Sequence, residues 1–165
     1  MTKEKYVRKA KLTDPAILAK KMRVADVKEI WSSHRAKPLE ALMYAFSVKK
    51  HKTFSIIGTK EEQVIGMFGV VPCPFYYGKG IAWLLSSDEL LNHTKQFLKE
   101  CPRWIDDMQQ EYDTLYNYVH IDNKVSIRWL KYFGFVITKK LTYGHAQEMF
   151  YHFERNTNEI KNTDK

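Results

Sequence analysis

Cysteine is scarce. Cys73 and Cys101 are the only two, too few for a disulfide framework and not at the close spacing of a thiolate metal site. Two reduced, inert thiols are the expectation. The six histidines, at positions 34, 51, 93, 120, 145 and 152, never fall three or four apart, so no metal is expected from local spacing. Long apolar runs are missing as well. None approaches the roughly 18 residues of a membrane-spanning helix, and the opening MTKEKYVRKA lacks the apolar stretch of a secretory signal. The expectation is a protein without a membrane span that acts where it is made. There is no internal repeat, no Gly/Ser linker and no arginine-rich block.

What is present is globular. Of the 165 residues, 44% are hydrophobic and 14% aromatic, which is not the composition of a disordered chain. A chain this long buries roughly 70% of its unfolded surface and needs no staples. The formal charge is +8, which admits phosphate-rich partners such as nucleic acid or a nucleotide cofactor. The alternative is a solubilising surface, and lysines scattered as in SVKKHK and ITKKLTY favour it.

Patterning supplies the element order. KYVRKAKL reads as a first strand. Asp14-Pro15 offers an N-cap and a first-turn proline, so a helix is expected to begin there. ADVKEIWSSH and PLEALMYAFSV carry apolar residues at helical spacing. TFSIIG and QVIGMFGVV then make a hairpin around TKEE, and IAWLLSS follows PCPFYYGKG as another strand. Residues 87–112 read as helical, with Pro102 expected to kink or divide them. TLYNYVHI is a strand and NKVSIRWLKYFG a helix that Gly134 ends in left-handed geometry. FVITKKLTY and EMFYHFER close the chain as a hairpin around GHAQ. The crossover demands a parallel pair and the hairpins antiparallel ones. The expected fold is therefore a single α/β domain over residues 1–154, with a mixed sheet of six or seven strands and helices on both faces. RNTNEIKNTDK, residues 155–165, reads as a polar tail.

IDNKVSIRWLKYFGFVI, residues 121–137, resembles the last helix-and-strand signature of the GNAT acyltransferases, in which an Asn opens a helix that ends in Gly-Phe. Asn123, Ile127, Gly134 and Phe135 stand at the matching places. The Tyr112, Asp113, Leu115, Asn117, Tyr118, Val119 pattern before it, with WLLSSDEL upstream, resembles the GNAT-like internal virion proteins of short-tailed bacteriophages. The resemblance implies a GNAT-like fold over about residues 5–154. It also implies a phage-encoded protein of the virion or of its assembly, with virion or other phage proteins as partners. The host cytoplasm or the virion is then its location.

Gly78-Lys79-Gly80 looks like a phosphate-cradling loop, but that reading would demand a helix of some thirty residues through Pro102 and leave no fourth strand. The glycines read instead as turn residues. The family's phosphate-loop position falls on SSDELL, where Ser86 and Glu89 form a capping-box pattern. It holds no glycine, and Asp88 and Glu89 at a helix N-terminus would repel a pyrophosphate. Many GNAT enzymes carry a Tyr acid four residues before the Gly of Gly-Phe, and here that place is Leu130. The resemblance thus implies a degenerate acyl-CoA site, with Ser86, Ser87 and Asn123 as the contacts if acyl-CoA binds. No cofactor is expected, or acetyl-CoA if the chain is active. His120, at the end of the fifth strand, is the one candidate base, against the reading of a packed strand-end histidine. Two other functions stay open: an active acetyl-CoA-dependent N-acetyltransferase, and a host-directed or nucleic-acid-binding protein that uses the positive charge.

Overall fold

The structure is a computed structural model and describes residues 6–60 and 63–157. One seven-stranded sheet carries the chain, in the order β1-β2-β3-β4-β5-β7-β6. Its strands are β1 (Val7–Lys9), β2 (Lys52–Ile57), β3 (Val64–Pro72), β4 (Lys79–Ser86), β5 (Thr114–His120), β6 (Val136–Tyr143) and β7 (Glu148–Asn156). The helices are α1 (Asp14–Ala19), α2 (Val24–His34), α3 (Pro38–Tyr44), α4 (Thr94–Gln109) and α5 (Lys124–Tyr132). The expected element order and mixed sheet are both present.

Strand alternation sorts side chains to two cores. Phe68 and Val70 of β3, Ala82 of β4, and Leu115 and Val119 of β5 face α4 and α5, where Phe97, Cys101, Ile105, Met108, Trp129 and Phe133 meet them. On the opposite face Leu18 of α1, Leu42 of α3 and Met67 of β3 pack together, with Trp83 and Leu85 of β4 against them. Both cysteines are free and buried.

The parallel pair is the short one. β4 and β5 are in register only at Lys79↔Thr114, Gly80↔Leu115 and Ile81↔Tyr116. Beyond that point the strands part, and the Asn117 side chain, not a backbone group, donates to the Ala82 carbonyl at 2.8 Å. The β3–β4 hairpin turn lies at residues 73–78, closed by Cys73 N–H donating to Lys79 O at 2.9 Å. Gly78 and Gly80 are therefore a turn and a strand residue, not a phosphate-cradling loop.

Several local expectations are corrected. The helical region does break, but at residue 93: Asp88–His93 is a 3₁₀ segment, and α4 runs through Pro102 undivided. Sixteen residues of packing along one amphipathic face outweigh one lost hydrogen bond. Ser86 is the last residue of β4 and caps nothing; Ser87 is the residue before the 3₁₀ segment and makes no side-chain cap. Asp14 lies inside α1 rather than capping it. Its carboxylate takes Arg8, the Lys11 N–H and the Ser55 hydroxyl, tying the helix to the sheet edge. β7 extends to Asn156, two residues into the expected tail, because Arg155 is buried and donates to Asp106 at 2.6 Å and Gln109 at 3.3 Å. Residues 61–62 of the TKEE turn and 158–165 of the tail lie outside the described residues.

α5 ends as its sequence implies. Phe135 N–H reaches back to Leu130 O at 2.9 Å and Gly134 N–H to Lys131 O at 3.2 Å. This double closure needs a left-handed residue between the two bonds, and Gly134 supplies it at φ +88°.

Candidate functional site

Where β4 and β5 part, a cavity of about 630 Å³ passes through the sheet. On one face it is walled by Phe97, Ile105, Met108, Trp129, Leu130 and Phe133 from α4 and α5. On the other it meets Glu29, His34, Glu40 and Tyr44 from α2 and α3, with Tyr116, Tyr118 and Tyr143 from the strands. Tyr118 and Tyr143 stack at 4.0 Å between ring centroids. The turn joining β6 to β7 lies over the end of α2, with His145 N–H on Ser33 O at 2.9 Å and Ala146 N–H on Ser32 O at 3.0 Å.

A buried polar cluster braces this cavity. Asn123 precedes α5 but does not cap it. Its amide nitrogen instead donates to Asp26 Oδ1 at 3.1 Å and to Glu29 Oε2 at 2.6 Å. Its carbonyl oxygen accepts from Arg23 Nη2 at 3.2 Å. Arg23 also pairs with Asp26 at 3.4 Å, and Ser86 N–H donates to the other Asp26 oxygen at 3.0 Å. The cluster thus joins α2, the end of β4 and the start of α5. Burial pushes the Glu29 carboxyl up to about 8, with the Asn123 bond opposing and the Asp26 charge reinforcing it. Glu29 is thus a half-buried carboxyl on the cavity wall held well above the usual carboxylate range, a property suited to general acid–base work.

The residues singled out in the sequence divide. Asn123 lines the cavity, but its amide is committed to Asp26, Glu29 and Arg23. Ser86 and Ser87 are buried; the Ser87 hydroxyl donates to Ile65 O at 2.9 Å, and neither serine lines the cavity. His120 does not line it either. The His120 ring packs edge-on against Phe150, with Nε2 3.4 Å from Glu148 and Nδ1 accepting from Asp122 N–H at 3.1 Å. Leu130 does line the cavity, so an aliphatic side chain occupies the wall where the resemblance asks for a Tyr acid, and Tyr132 is exposed. Asp88 and Glu89 are exposed in the first turn of the 3₁₀ segment, not of α4. Arg23, Asp26 and Glu29 escaped the sequence reading, which took α2 for an apolar face alone. Their three-residue spacing on one helix was the available signal.

Fold and cleft together define the class: this is the GNAT-like acetyltransferase fold. A chimera of the spermidine N-acetyltransferase SpeG from Vibrio cholerae and hSSAT superposes with a TM-score of 0.65 over 94% of this chain and 97% of that one, at 13% identity. Spermidine N-acetyltransferase from Vibrio cholerae in complex with CoA and spermine gives 0.64 over 92% and 95%, at 14% identity. The NatC complex bound to Gag peptide and CoA gives 0.51 over 63% and 70%, at 16% identity. Residues 72–142, less than half of the chain, match a family described as "Bacteriophage T7, probable scaffold protein Gp13". No curated protein sequence matches.

Proposed function

We propose that this chain is a bacteriophage protein of GNAT-like fold whose acyl-CoA site is degenerate and which serves in the virion or its assembly. One observation carries the reading. The segment similar to the phage scaffold family, residues 72–142, spans β4, α4, β5 and α5, and within it the acid position on the cavity wall is Leu130. An alkyl group has no proton to give a leaving thiolate. The phosphate position adds to this: it has no glycine and carries two exposed carboxylates. These residues do not fit acetyl-CoA. Ser86 and Ser87, the other expected contacts, have no hydroxyl on the cavity wall. Phage structural or assembly proteins are the partners this reading names.

Calorimetry with acetyl-CoA tests the site. No saturable binding in the micromolar range is expected, and Asp88→Ser with Glu89→Gly should strengthen whatever weak binding exists. Tight binding by the unmodified chain would remove the reading. Mass spectrometry of purified particles and procapsids of the encoding phage tests the role; absence from both would end it.

The second reading, an acetyl-CoA-dependent N-acetyltransferase, is favoured by Glu29. A carboxyl that titrates near pH 8 on the cavity wall would hold the proton of an acceptor amine. The first turn of α4 also carries no acidic residue. Acetyl transfer to an amine that is lost in Glu29→Gln would promote this reading over the first. A nucleic-acid role rests on net charge alone, and a steep salt dependence of DNA binding would be its sign.

A further inference from the structure

The net charge of the chain is not spread evenly. Residues 6–52, which make β1, α1, α2 and α3 with the turns between them, hold 12 lysines and arginines against 4 aspartates and glutamates. That excess of eight equals the formal charge of the whole chain, so the remainder, with 15 of each, is balanced. Folding sharpens the bias. Asp14 and Asp26 are buried against Arg8 and Arg23, and Glu29 is half-buried on the cavity wall. Glu40 is the one exposed acid of this stretch, whereas nine of its bases are exposed. Apolar side chains stand among them. Val24, Lys28, Trp31 and Arg35 follow one another at helical spacing and form a single stripe of α2, and all four are exposed. Val24 is 66% exposed and Trp31 46%; Leu39 and Met43, one turn apart on α3, are exposed as well. Arg35 stacks over the Trp31 ring at 5.0 Å, and Glu148 of β7 offsets part of its charge. None of these side chains lines the cavity where β4 and β5 part. Solubility accounts for the bases but not for the apolar groups between them.

We propose that the outer surface of α1, α2 and α3 rests on an anionic phospholipid bilayer, with the lysines at the headgroup phosphates, Trp31 at headgroup depth, and Val24, Leu39 and Met43 turned toward the acyl boundary. A bilayer supplies both chemistries over one broad surface. Its negative charge attracts the bases, and the boundary beneath takes the indole ring and the aliphatic groups. Nucleic acid supplies phosphates but no apolar layer for Val24, Leu39 and Met43. The contact needs neither acyl-CoA nor the cavity, so it stands or falls apart from the function proposed above.

Vesicle co-sedimentation tests it, with phosphatidylcholine alone and phosphatidylcholine mixed with phosphatidylglycerol as the probes, beside a mobility shift with duplex DNA at the same salt. The chain should sediment with the phosphatidylglycerol vesicles and not with phosphatidylcholine alone. Its partition should fall roughly tenfold between about 50 and about 300 mM salt. Lys28→Glu with Lys37→Glu should lower partition roughly tenfold or more. Lys95→Glu with Lys99→Glu, at exposed positions of α4 across the sheet, makes the same change in net charge and should leave partition within about twofold. Brominated acyl chains should quench part of the tryptophan emission, and Trp31→Phe should abolish that quenching while sedimentation persists. Lys20→Glu with Lys21→Glu, just past the end of α1, carries the same comparison if the first pair does not fold. No partition onto phosphatidylglycerol vesicles, equal binding to phosphatidylcholine alone, an equal loss in the α4 pair, or quenching intact in Trp31→Phe would each overturn the proposal. So would DNA binding that is tighter than vesicle binding and lost in the Lys28 and Lys37 pair.

Discussion

Glu29 and Asp14 are both carboxyl groups on helices, and their surroundings treat them in opposite ways. Burial works against the charge of each. At Asp14 the Arg8 guanidinium, the Lys11 N–H and the Ser55 hydroxyl outweigh burial and hold the carboxyl below its usual range. At Glu29 burial prevails, and the group titrates at about 8. A carboxyl raised in the folded state binds more protons there than in the unfolded chain between about pH 4.5 and 8, so its effect on stability becomes less favourable as pH rises through that window. Glu29→Gln removes this titration and keeps the shape. The variant should gain stability relative to the native chain from pH 5 to pH 8, and the two should converge near pH 4.5; denaturant melts across that range measure it. A second residue-scale outcome concerns Gly134. A Cβ there meets nothing nearer than Arg155 Nε at 3.4 Å, so the cost of Gly134→Ala is backbone strain at positive φ. It should be about 1 kcal/mol in the same assay.

Among the elements, the β6–β7 turn and α2 meet unusually closely. A Cβ on Gly144 would fall 2.5 Å from Ser33 Cα and 2.8 Å from Ser33 O. That contact lets the turn donate two backbone hydrogen bonds to the end of α2, where His34 lines the cavity. Gly144→Ala should push the turn away, cost about 1–3 kcal/mol as those carbonyls lose their partners, and speed amide exchange at His145 and Ala146. Unchanged exchange at both amides would show that the turn is held by other contacts. α4 teaches the opposite lesson about local signals. Pro102 is a breaker by sequence, yet the helix continues through it because Phe97, Cys101, Ile105 and Met108 are buried along one face. Packing of that stripe prevails over the local preference.

Across the whole molecule, Asn123 holds the two faces of the sheet together. Through Asp26, Glu29 and Arg23 it joins α2 on one side to α5 on the other. Asn123→Ala would strip partners from three buried or half-buried groups at once. At roughly 1–3 kcal/mol for a polar group left unsatisfied, the variant should lose about 2–4 kcal/mol and widen the gap between β4 and β5. A loss under 1 kcal/mol would mean that water or neighbouring groups replace the amide. The overall charge, by contrast, bears little on the cavity, because among the described residues no lysine or arginine lines it.

The fold was legible in the sequence because its signals are local. Strand alternation, the Asn123–Phe135 signature, the turn glycines and the helix stop at Gly134 each concern residues within a dozen positions, and short-range sterics and periodicity decide them. The lack of a Tyr at position 130 was equally plain, since helix geometry places that residue relative to Gly134. Tertiary structure alone decided the site. Asn123 has the chemistry of a cap, but its partners lie 94 and 97 residues away, and no local pattern could choose them over the helix N–H groups. His120 sits on a strand end beside the cleft in sequence, yet Glu148 and Phe150 of the neighbouring strand take its ring. Glu29 drew no reading from its local sequence. Its carboxyl is pushed up to about 8 because the assembled fold buries it, and desolvation is a property of that assembly.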